Sequence, residues 1–221
     1  MSEIASETRR PGARPHQGRR AVISREDLMA AAMQLVGPHR SISTLSLREV
    51  AREAGIAPNS FYRHFRDVDE LAVCLIDQAG AALRQVIGEA RHRATSGRSV
   101  VRSSVEAFLE LLWGEQKYMQ LLLREGMVGS NEFKAAVDRQ LVYFEEELES
   151  DLLRLAAAND TAIYRADLVA RAITRLVFAM GGSAVDVPVD KRPQAIEDLV
   201  AMVRMIVVGT QTMAVNGIRP D

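Results

Sequence analysis

The chain contains one cysteine and four histidines among its 221 residues. Because Cys74 is alone, an intrachain disulfide is excluded, and the cysteine and histidine positions lack the spacing of metal ligands. The sequence therefore predicts no metal site and no bound cofactor. Cys74 lies between Val73 and Leu75 in a helical pattern, which favours a small buried side chain over a redox sensor.

The sequence also lacks the apolar segments and alternating patterns that mark several protein classes. It has no apolar core of about 7–15 residues typical of a secretion signal, and no uninterrupted apolar run long enough to span a bilayer. No strand-like alternation of useful length occurs. A Gly-x-Ser-x-Gly nucleophile elbow is missing too. These absences predict an all-α cytoplasmic protein that contacts no membrane and is not an enzyme.

Charge is distributed unevenly along the chain, although the formal net charge is only -1. Residues 1–66 hold eleven arginines and six acidic residues, a net charge of +5, so the remainder carries -6. Residues 1–20 are rich in arginine, proline and glycine without apolar periodicity, which indicates a disordered basic arm. This arm could contact DNA phosphates or the minor groove, or it could simply keep the protein soluble.

The segment 46–65 has the pattern of two short amphipathic helices around one glycine. Ser46, three residues before Glu49, forms a capping-box pattern, so a helix should begin one residue after Ser46. Gly55 can adopt the positive φ of a tight turn, and Pro58 suits the first turn of the next helix. The segment therefore predicts a helix-turn-helix, which places one helix against DNA.

The second helix, roughly 58–65, separates into two sides. Phe61 and Phe65 should pack inward, while Asn59, Tyr62 and Arg63 should lie on the opposite side with Arg66. Asn can pair with an adenine edge, Arg with guanine or phosphate, and Tyr with phosphate or a thymine methyl. The predicted DNA-contacting residues are Thr44, Ser46, Arg48, Asn59, Ser60, Tyr62, Arg63 and His64.

Different roles are expected within that set. Arg48, Asn59 and Tyr62 should contact base edges. The predicted phosphate contacts, which set register rather than sequence preference, are Ser46, Ser60, Arg63 and His64. The alternative interpretation is a surface helix hairpin in an all-helical body.

These residues carry a resemblance to a known family. The motifs Arg48-Glu49-Val50-Ala51, Phe61-Tyr62-x-His64-Phe65 and Asp69-Glu70-Leu71 resemble the DNA-binding head of the TetR family of bacterial repressors. The detailed residue pattern of 45–71 is similar to that of the FabR and DesT type, which represses genes for unsaturated fatty-acid synthesis. One departure is that the family commonly has Ser or Thr where Ala57 stands, so the usual hydroxyl cap is missing.

The resemblance implies an all-α fold with a three-helix head joined by a long helix to a ligand-binding and dimerisation body. We predict a disordered basic arm in 1–20, the helix-turn-helix DNA-binding domain in 21–66, and the helical effector-binding and dimerisation domain in 67–221. Ser24 and Asp27 should cap the first helix, and the connecting helix should run from Val68 to about Thr95.

Apolar periodicity predicts further helices near 101–112, 118–124, 131–155, 164–185 and 193–215, with a loop at 126–130 and Asn131 capping the third. An acidic run should form a solvated face; its members are Glu145, Glu146, Glu147, Glu149 and Asp151. The last two helices are apolar over more than one face. They predict a homodimer that presents two recognition helices to successive major grooves of a palindrome, about 34–36 Å apart. The alternative is a buried hairpin in a monomer.

Large apolar side chains on the body helices are the candidate effector contacts: Phe108, Leu109, Leu112, Trp113, Leu122, Phe144 and Phe178. Ordinary core packing is the alternative for each of them. The resemblance implies a long-chain acyl effector carried on coenzyme A or acyl carrier protein. A TetR-type repressor of an efflux or degradation operon, responding to an unrelated apolar molecule, is the second hypothesis, and an acyl-thioester enzyme is a remote third.

Overall fold

The computed structural model describes residues 23–37, 40–93, 99–114 and 117–217. Within these ranges the chain forms α-helices and no strand, which confirms the all-α prediction. The basic arm 1–20 lies outside the described residues. The helices are α1 Arg25–Leu35, α2 Leu47–Glu53, α3 Pro58–Phe61, α4 Val68–Arg93, α5 Val100–Trp113, α6 Lys117–Val128, α7 Asn131–Ala158, α8 Ala166–Ala184 and α9 Arg192–Val215.

The head consists of α1, α2 and α3 around a small apolar core. As predicted, α1 begins with a capping box: Ser24 Oγ accepts the Asp27 N–H at 3.1 Å, and Asp27 Oδ2 accepts the Ser24 N–H at 2.8 Å. The core side chains are almost completely buried; they are Leu28, Ile42, Val50, Phe61 and Phe65. Removing such side chains from water is the main stabilising contribution to a domain of this size.

Arg25 joins the head to the start of α4. Its guanidinium carbon lies 4.0 Å from the ring centroid of Phe65, and it donates to the main-chain carbonyl of His64. It also donates to Glu70 and to Cys74 Sγ, each at 3.1 Å. Cys74 is therefore half-buried and hydrogen-bonded, rather than the purely apolar side chain that the sequence predicts.

The helix α4 connects the head to the body. It has 26 residues and is about 39 Å long at 1.5 Å per residue. Leu71, Leu75 and Ile76 are fully buried near its first turns, while Ile87 and Arg91 are buried near its end. One continuous helix therefore contributes to the cores of both parts.

The body is formed by α5 to α9, of which α5, α6 and α7 pack against α4. Here α6 continues to Val128, so the loop predicted at 126–130 is wrong over its first three residues. A glycine inside a helix costs only about 1 kcal/mol. Burial of Leu121, Leu122 and Leu123 in α6 outweighs that cost. The cap of α7 is Ser130 rather than Asn131, since Ser130 Oγ accepts the Phe133 N–H at 3.3 Å.

The acidic run on α7 is only partly a solvated face. Glu145 and Asp151 are 9% and 8% exposed, so the prediction is wrong for these two residues. Glu145 accepts from Arg175 at 2.7 Å, and Asp151 accepts from Arg91 at 2.5 Å. Arginines from neighbouring helices compensate the desolvation of both carboxylates, which is the usual condition for burying a charge.

Two segments, Val68–Arg93 and Val189–Val215, are long and apolar enough to cross a membrane by length and composition alone, although charged residues interrupt both. The first segment is α4, which packs against α5, α6 and α7 in the core. The second includes α9, whose apolar window is only 22% buried. The surplus apolar surface predicted for the last helices therefore lies outside the core of one chain.

Candidate DNA-binding face and ligand cavity

The first half of the helix-turn-helix has the local structure that its sequence predicts. α2 begins at Leu47 behind a capping box in which Ser46 Oγ accepts the Glu49 N–H at 3.3 Å. Gly55 has a φ of +69°, a left-handed conformation that side chains with a Cβ rarely adopt. The Ile56 N–H then bonds back to the Ala51 carbonyl at 2.9 Å, which closes the turn.

The recognition helix is shorter than predicted, because α3 ends at Phe61 rather than Phe65. Pro58 occupies its first turn, and Ala57 provides no side-chain cap, as expected. Beyond Phe61 the chain continues as a tighter turn, in which the His64 N–H donates to the carbonyl of Phe61, three residues earlier, at 2.9 Å. The His64 carbonyl is taken by Arg25 from α1, so the end of the segment is satisfied by tertiary contact instead of by further helix.

The structure places all eight predicted DNA-contacting residues at the surface of the head. The exposed ones are Thr44, Ser46, Arg48, Asn59, Tyr62 and Arg63, and the half-buried ones are Ser60 and His64. Tyr62 is 61% exposed although it is a large aromatic side chain. In the part of the head that the structure describes, no carboxylate lies within ion-pair distance of Arg48 or Arg63. Their guanidinium groups are therefore available for an anionic partner.

Two of the predicted contacts already use their hydroxyl protons within the protein. Ser46 Oγ donates to Glu49 Oε2 at 2.8 Å, and Thr44 Oγ1 donates to the Ser41 carbonyl at 2.7 Å. A phosphate oxygen only accepts hydrogen bonds. A phosphate contact from either hydroxyl would therefore require one of these bonds to break.

Electrostatics reinforce the start of α2. The main-chain N–H of Ser46, followed by the guanidinium of Arg40 at 2.5 Å, lowers the pKa of Glu49 to about 2. Glu49 is therefore ionised at neutral pH, and its charge lies at the positive end of the helix dipole. The cap that positions Arg48 depends on this carboxylate.

An apolar cavity of about 250 Å³ lies in the body, between the end of α4 and parts of α5, α7, α8 and α9. Its walls include the predicted residues Phe108, Phe144 and Phe178, and the ring of Phe178 contacts the other two. Most of the remaining lining is aliphatic. A few polar side chains also reach the wall: Arg91, Ser104, Asp151, Asn159, Thr161, Thr174 and Gln211.

The other four predicted ligand contacts do not line this cavity. Leu109 and Leu112 are each 1% exposed and belong to the core elsewhere. Trp113 Nε1 donates to the Ala184 carbonyl at 2.9 Å, which gives the indole a role in joining α5 to α8. Leu122 lines a separate surface groove. Periodicity identifies apolar residues, but the side of the core that each one faces depends on how the helices pack.

A buried ion pair, which the sequence pattern does not indicate, forms one part of the cavity wall. Arg91 Nε lies 2.5 Å from Asp151 Oδ2, and Arg154 lies 2.7 Å from the other oxygen of Asp151. Burial alone would raise the pKa of Asp151, but Arg154 and Arg91 together hold it below its ordinary value. The pair gives an otherwise apolar cavity a charged region with both signs present.

A second buried carboxylate links the body to the head. Glu125 in α6 is 0% exposed, and its Oε1 accepts from Ser41 Oγ at 2.6 Å and from the Ile42 N–H at 3.1 Å. Its Oε2 has no hydrogen-bond partner in the described part of the chain. Ser41 and Ile42 directly precede the helix-turn-helix, so α6 contacts the segment that leads into α2.

Comparison with known proteins agrees with this geometry. Residues 28–73 match the family described as bacterial regulatory proteins, tetR family. A transcriptional regulator from Rhodococcus sp. Rha1 shares 20% identity with a TM-score of 0.64, over 90% of this chain and all of that one. FadR, a fatty acid degradation regulator from Bacillus halodurans, shares 14% identity with a TM-score of 0.64, over 83% and 94%.

AibR, solved in complex with isovaleryl coenzyme A and operator DNA, shares 15% identity with a TM-score of 0.59, over 81% of this chain and 97% of that one. Likenesses at these identities show a common fold. The tetR match covers the whole helix-turn-helix and the start of α4. Together with the capped helix pair and its glycine turn at the surface of the head, this match shows that residues 28–73 are similar to the helix-turn-helix head of bacterial regulatory proteins of the tetR family.

Proposed function

We propose that the protein is a homodimeric repressor that binds a palindromic operator and responds to an apolar effector in the body. The observation that carries the DNA-binding part is the exposure of Arg48, Asn59 and Tyr62 around the helix-turn-helix, with a net charge of +5 over residues 1–66. Exposed arginine, asparagine and tyrosine are side chains that read base edges in the major groove.

The dimer is supported by the apolar surface of the last two helices. Met205, Val208 and Val215 on α9 are 71%, 58% and 81% exposed, and Leu168 on α8 is 45% exposed. Soluble proteins rarely leave such contiguous apolar surface open to water. Two helices from each chain would bury it across a two-fold axis.

Replacing Met205 by Glu tests the dimer, since each chain would bring an unpaired carboxylate into the apolar interface. The variant should elute as a monomer in size-exclusion chromatography with light scattering and lose operator affinity. Leu153→Glu is the matched control, because Leu153 is 50% exposed but lies on α7. A Met205→Glu protein that stays dimeric would contradict this interface.

We further propose that the effector is a long-chain acyl thioester and that the regulated genes serve fatty-acid metabolism, unsaturated fatty-acid synthesis in particular. The apolar cavity with polar side chains at its wall supports this proposal, because an acyl thioester has an apolar tail and a polar carrier. The resemblance of 45–71 to the FabR and DesT type points the same way. Fold relatives include one regulator of fatty acid degradation and one bound to an acyl coenzyme A.

A second candidate effector is a compact apolar molecule, such as a drug or metabolite removed by efflux or degradation. The cavity size favours it, since about 250 Å³ lies below the usual range of roughly 300–1,000 Å³ for ligand sites. A long acyl tail would require the cavity to extend. The cavity volume therefore favours a compact ligand, whereas the mixed apolar and polar lining fits an acyl thioester.

The route from effector to DNA is proposed to follow α4. Ile87 and Arg91 of this helix line the cavity, while Glu70 and Cys74 contact Arg25 in the head. A ligand that favours one packing around Ile87 would bias the position of the head, provided that it binds the two packings with different affinity.

Thermal shift and operator binding on the purified protein test these proposals together. Oleoyl-CoA and palmitoyl-CoA are compared with free coenzyme A and with apolar aromatic drugs, because a ligand specific for the folded state raises the melting temperature. Fluorescence anisotropy with labelled DNA from the gene's own upstream region then measures operator affinity with and without each ligand. A shift with drugs and none with acyl-CoA would replace the first effector by the second.

A further inference from the structure

Phe178 separates two spaces in the body. Its side chain lines the apolar cavity of about 250 Å³ and also a more open groove of about 730 Å³ between α6, α7 and α8. Among the described residues, it is the one side chain that lines both. The two spaces are therefore neighbours that share an aromatic wall.

Two other phenylalanines hold this wall in place from the cavity side. The ring of Phe178 lies 5.9 Å from that of Phe108 and 5.5 Å from that of Phe144, centroid to centroid, in tilted and edge-on arrangements. Phe108 and Phe144 are 1% and 5% exposed, whereas Phe178 is only half-buried. Half-buried side chains change rotamer far more readily than enclosed ones.

Gly181, one turn after Phe178, fixes the position of Phe108. A Cβ at Gly181 would lie 2.7 Å from Phe108 Cζ, so the ring occupies the space that a side chain there would need. Phe108 is therefore pressed against the backbone of α8 and cannot move further in that direction. Of the three rings, Phe178 is the one with open space on its outer side.

The groove beyond Phe178 can accept an apolar chain. Its inner surface includes Leu122, Leu123, Val137 and Leu141. Its charged rim is partly neutralised, because Arg175 pairs with Asp138 at 2.6 Å and with Glu145. An extended apolar tail that passed Phe178 would continue along aliphatic side chains rather than into water.

We propose that Phe178 is the gate that limits the length of the effector's apolar tail. With the ring closed, a tail ends inside the cavity; with the ring removed or swung outward, the tail continues into the groove. This inference rests on the proposed acyl effector. It explains how a cavity of this size can belong to a regulator that discriminates among acyl chains.

Saturated acyl-CoA esters of increasing length, from butyryl to stearoyl, test the gate in the full-length protein by isothermal titration calorimetry. Each methylene removed from water should tighten binding by about fourfold. In the wild-type protein this gain should stop at the length that fills the cavity. In Phe178→Ala it should continue past that length, so the longest esters bind more than tenfold tighter than to wild type.

Leu176→Ala is the matched control, because Leu176 is a partly buried apolar residue of the same helix that lines neither the cavity nor the groove. In this control, affinity should stop rising at the same acyl-chain length as in the wild type. If Phe178→Ala fails to fold by circular dichroism, Phe178→Leu keeps an aliphatic side chain and should move the limit in the same direction. A limit unchanged in both Phe178 variants would overturn the gate and leave the proposed effector intact. A wild-type protein that binds no acyl-CoA of any length would overturn the proposed effector and the gate with it.

Discussion

Replacing Glu125 by Ala should separate α6 from the segment that leads into the helix-turn-helix. The change removes the acceptor of two hydrogen bonds, from Ser41 Oγ at 2.6 Å and from the Ile42 N–H at 3.1 Å. Ser41 Oγ has a second neighbour in Ser43 Oγ at 2.6 Å, so its hydroxyl can re-pair. The Ile42 N–H would remain without this acceptor in a buried position.

The expected cost follows from these contacts. One buried donor without a partner costs about 1–3 kcal/mol, and loss of the side-chain methylene adds about 0.8 kcal/mol. Removal of a buried carboxylate, whose Oε2 has no partner among the described residues, offsets part of this. Glu125→Ala should therefore lower the free energy of unfolding by about 1–3 kcal/mol.

Glu125→Gln provides the internal comparison. Its amide oxygen can accept the same two hydrogen bonds, while the amide nitrogen replaces the oxygen that has no partner. We expect its stability to lie between that of the wild type and that of Glu125→Ala, because it keeps both accepted hydrogen bonds but leaves its amide N–H donors without an acceptor among the described residues. Glu146→Ala, on the exposed face of α7, controls for loss of a glutamate and should change stability by less than about 0.5 kcal/mol.

Urea denaturation followed by circular dichroism measures all three variants, with the slope of the transition checking that unfolding stays two-state. Operator affinity, with and without effector, gives a second readout, because Glu125→Ala should also reduce the effector's influence on DNA binding. If Glu125→Ala were as stable as Glu146→Ala, the contact between α6 and the head would not exist in solution.

Further variants test the head. Arg48→Ala should cost about 1–3 kcal/mol of operator binding and relax preference at one position per half-site, measured with a set of single-base operator changes. His64→Ala should weaken specific and random DNA alike; a loss confined to the operator would reassign it to base contact. Gly55→Ala should destabilise the head by about 1–2 kcal/mol in chemical denaturation, since its φ is +69° and no atom lies within 4 Å of the added Cβ. Because folding lowers the pKa of Glu49 from 4.5 to about 2, its stabilising contribution is complete above pH 4.5 and is lost as the pH falls towards 2. In a plot of melting temperature against pH, Glu49→Gln should remove the part of the decrease between pH 4.5 and 2 that Glu49 causes.

The parts of the structure that could be predicted from sequence are those set by near neighbours in the chain. The Ser46 and Glu49 cap and the Gly55 turn involve residues three to five positions apart, so the pattern contains the whole interaction. The same locality explains why α1 and the start of α4 were placed correctly. Their caps and apolar stripes are read within one or two turns.

Features that depend on distant partners could not be read in this way. Asp151 looks like one more acid in a solvated run until α4 brings Arg91 from sixty positions earlier. The aromatic wall was predicted only in part, because Phe108 and Trp113 are both large and lie on the same helix, yet face different neighbours. The rotation of a helix about its axis and its crossing angle with neighbouring helices determine which neighbours a side chain contacts. Neither can be read from the residue spacing of one segment.

The continuity of α4 sets the scale of movement that regulation requires. Cys74, which contacts the head, and Ile87, which lines the cavity, are thirteen residues apart, or about 20 Å along the helix axis. A tilt of about 3° at one end displaces the other by roughly 1 Å over that length. Hydrogen bonds to base edges keep their strength only within a few tenths of an ångström. An angular change too small to see as a rearrangement of the fold is therefore large enough to make or break operator contact.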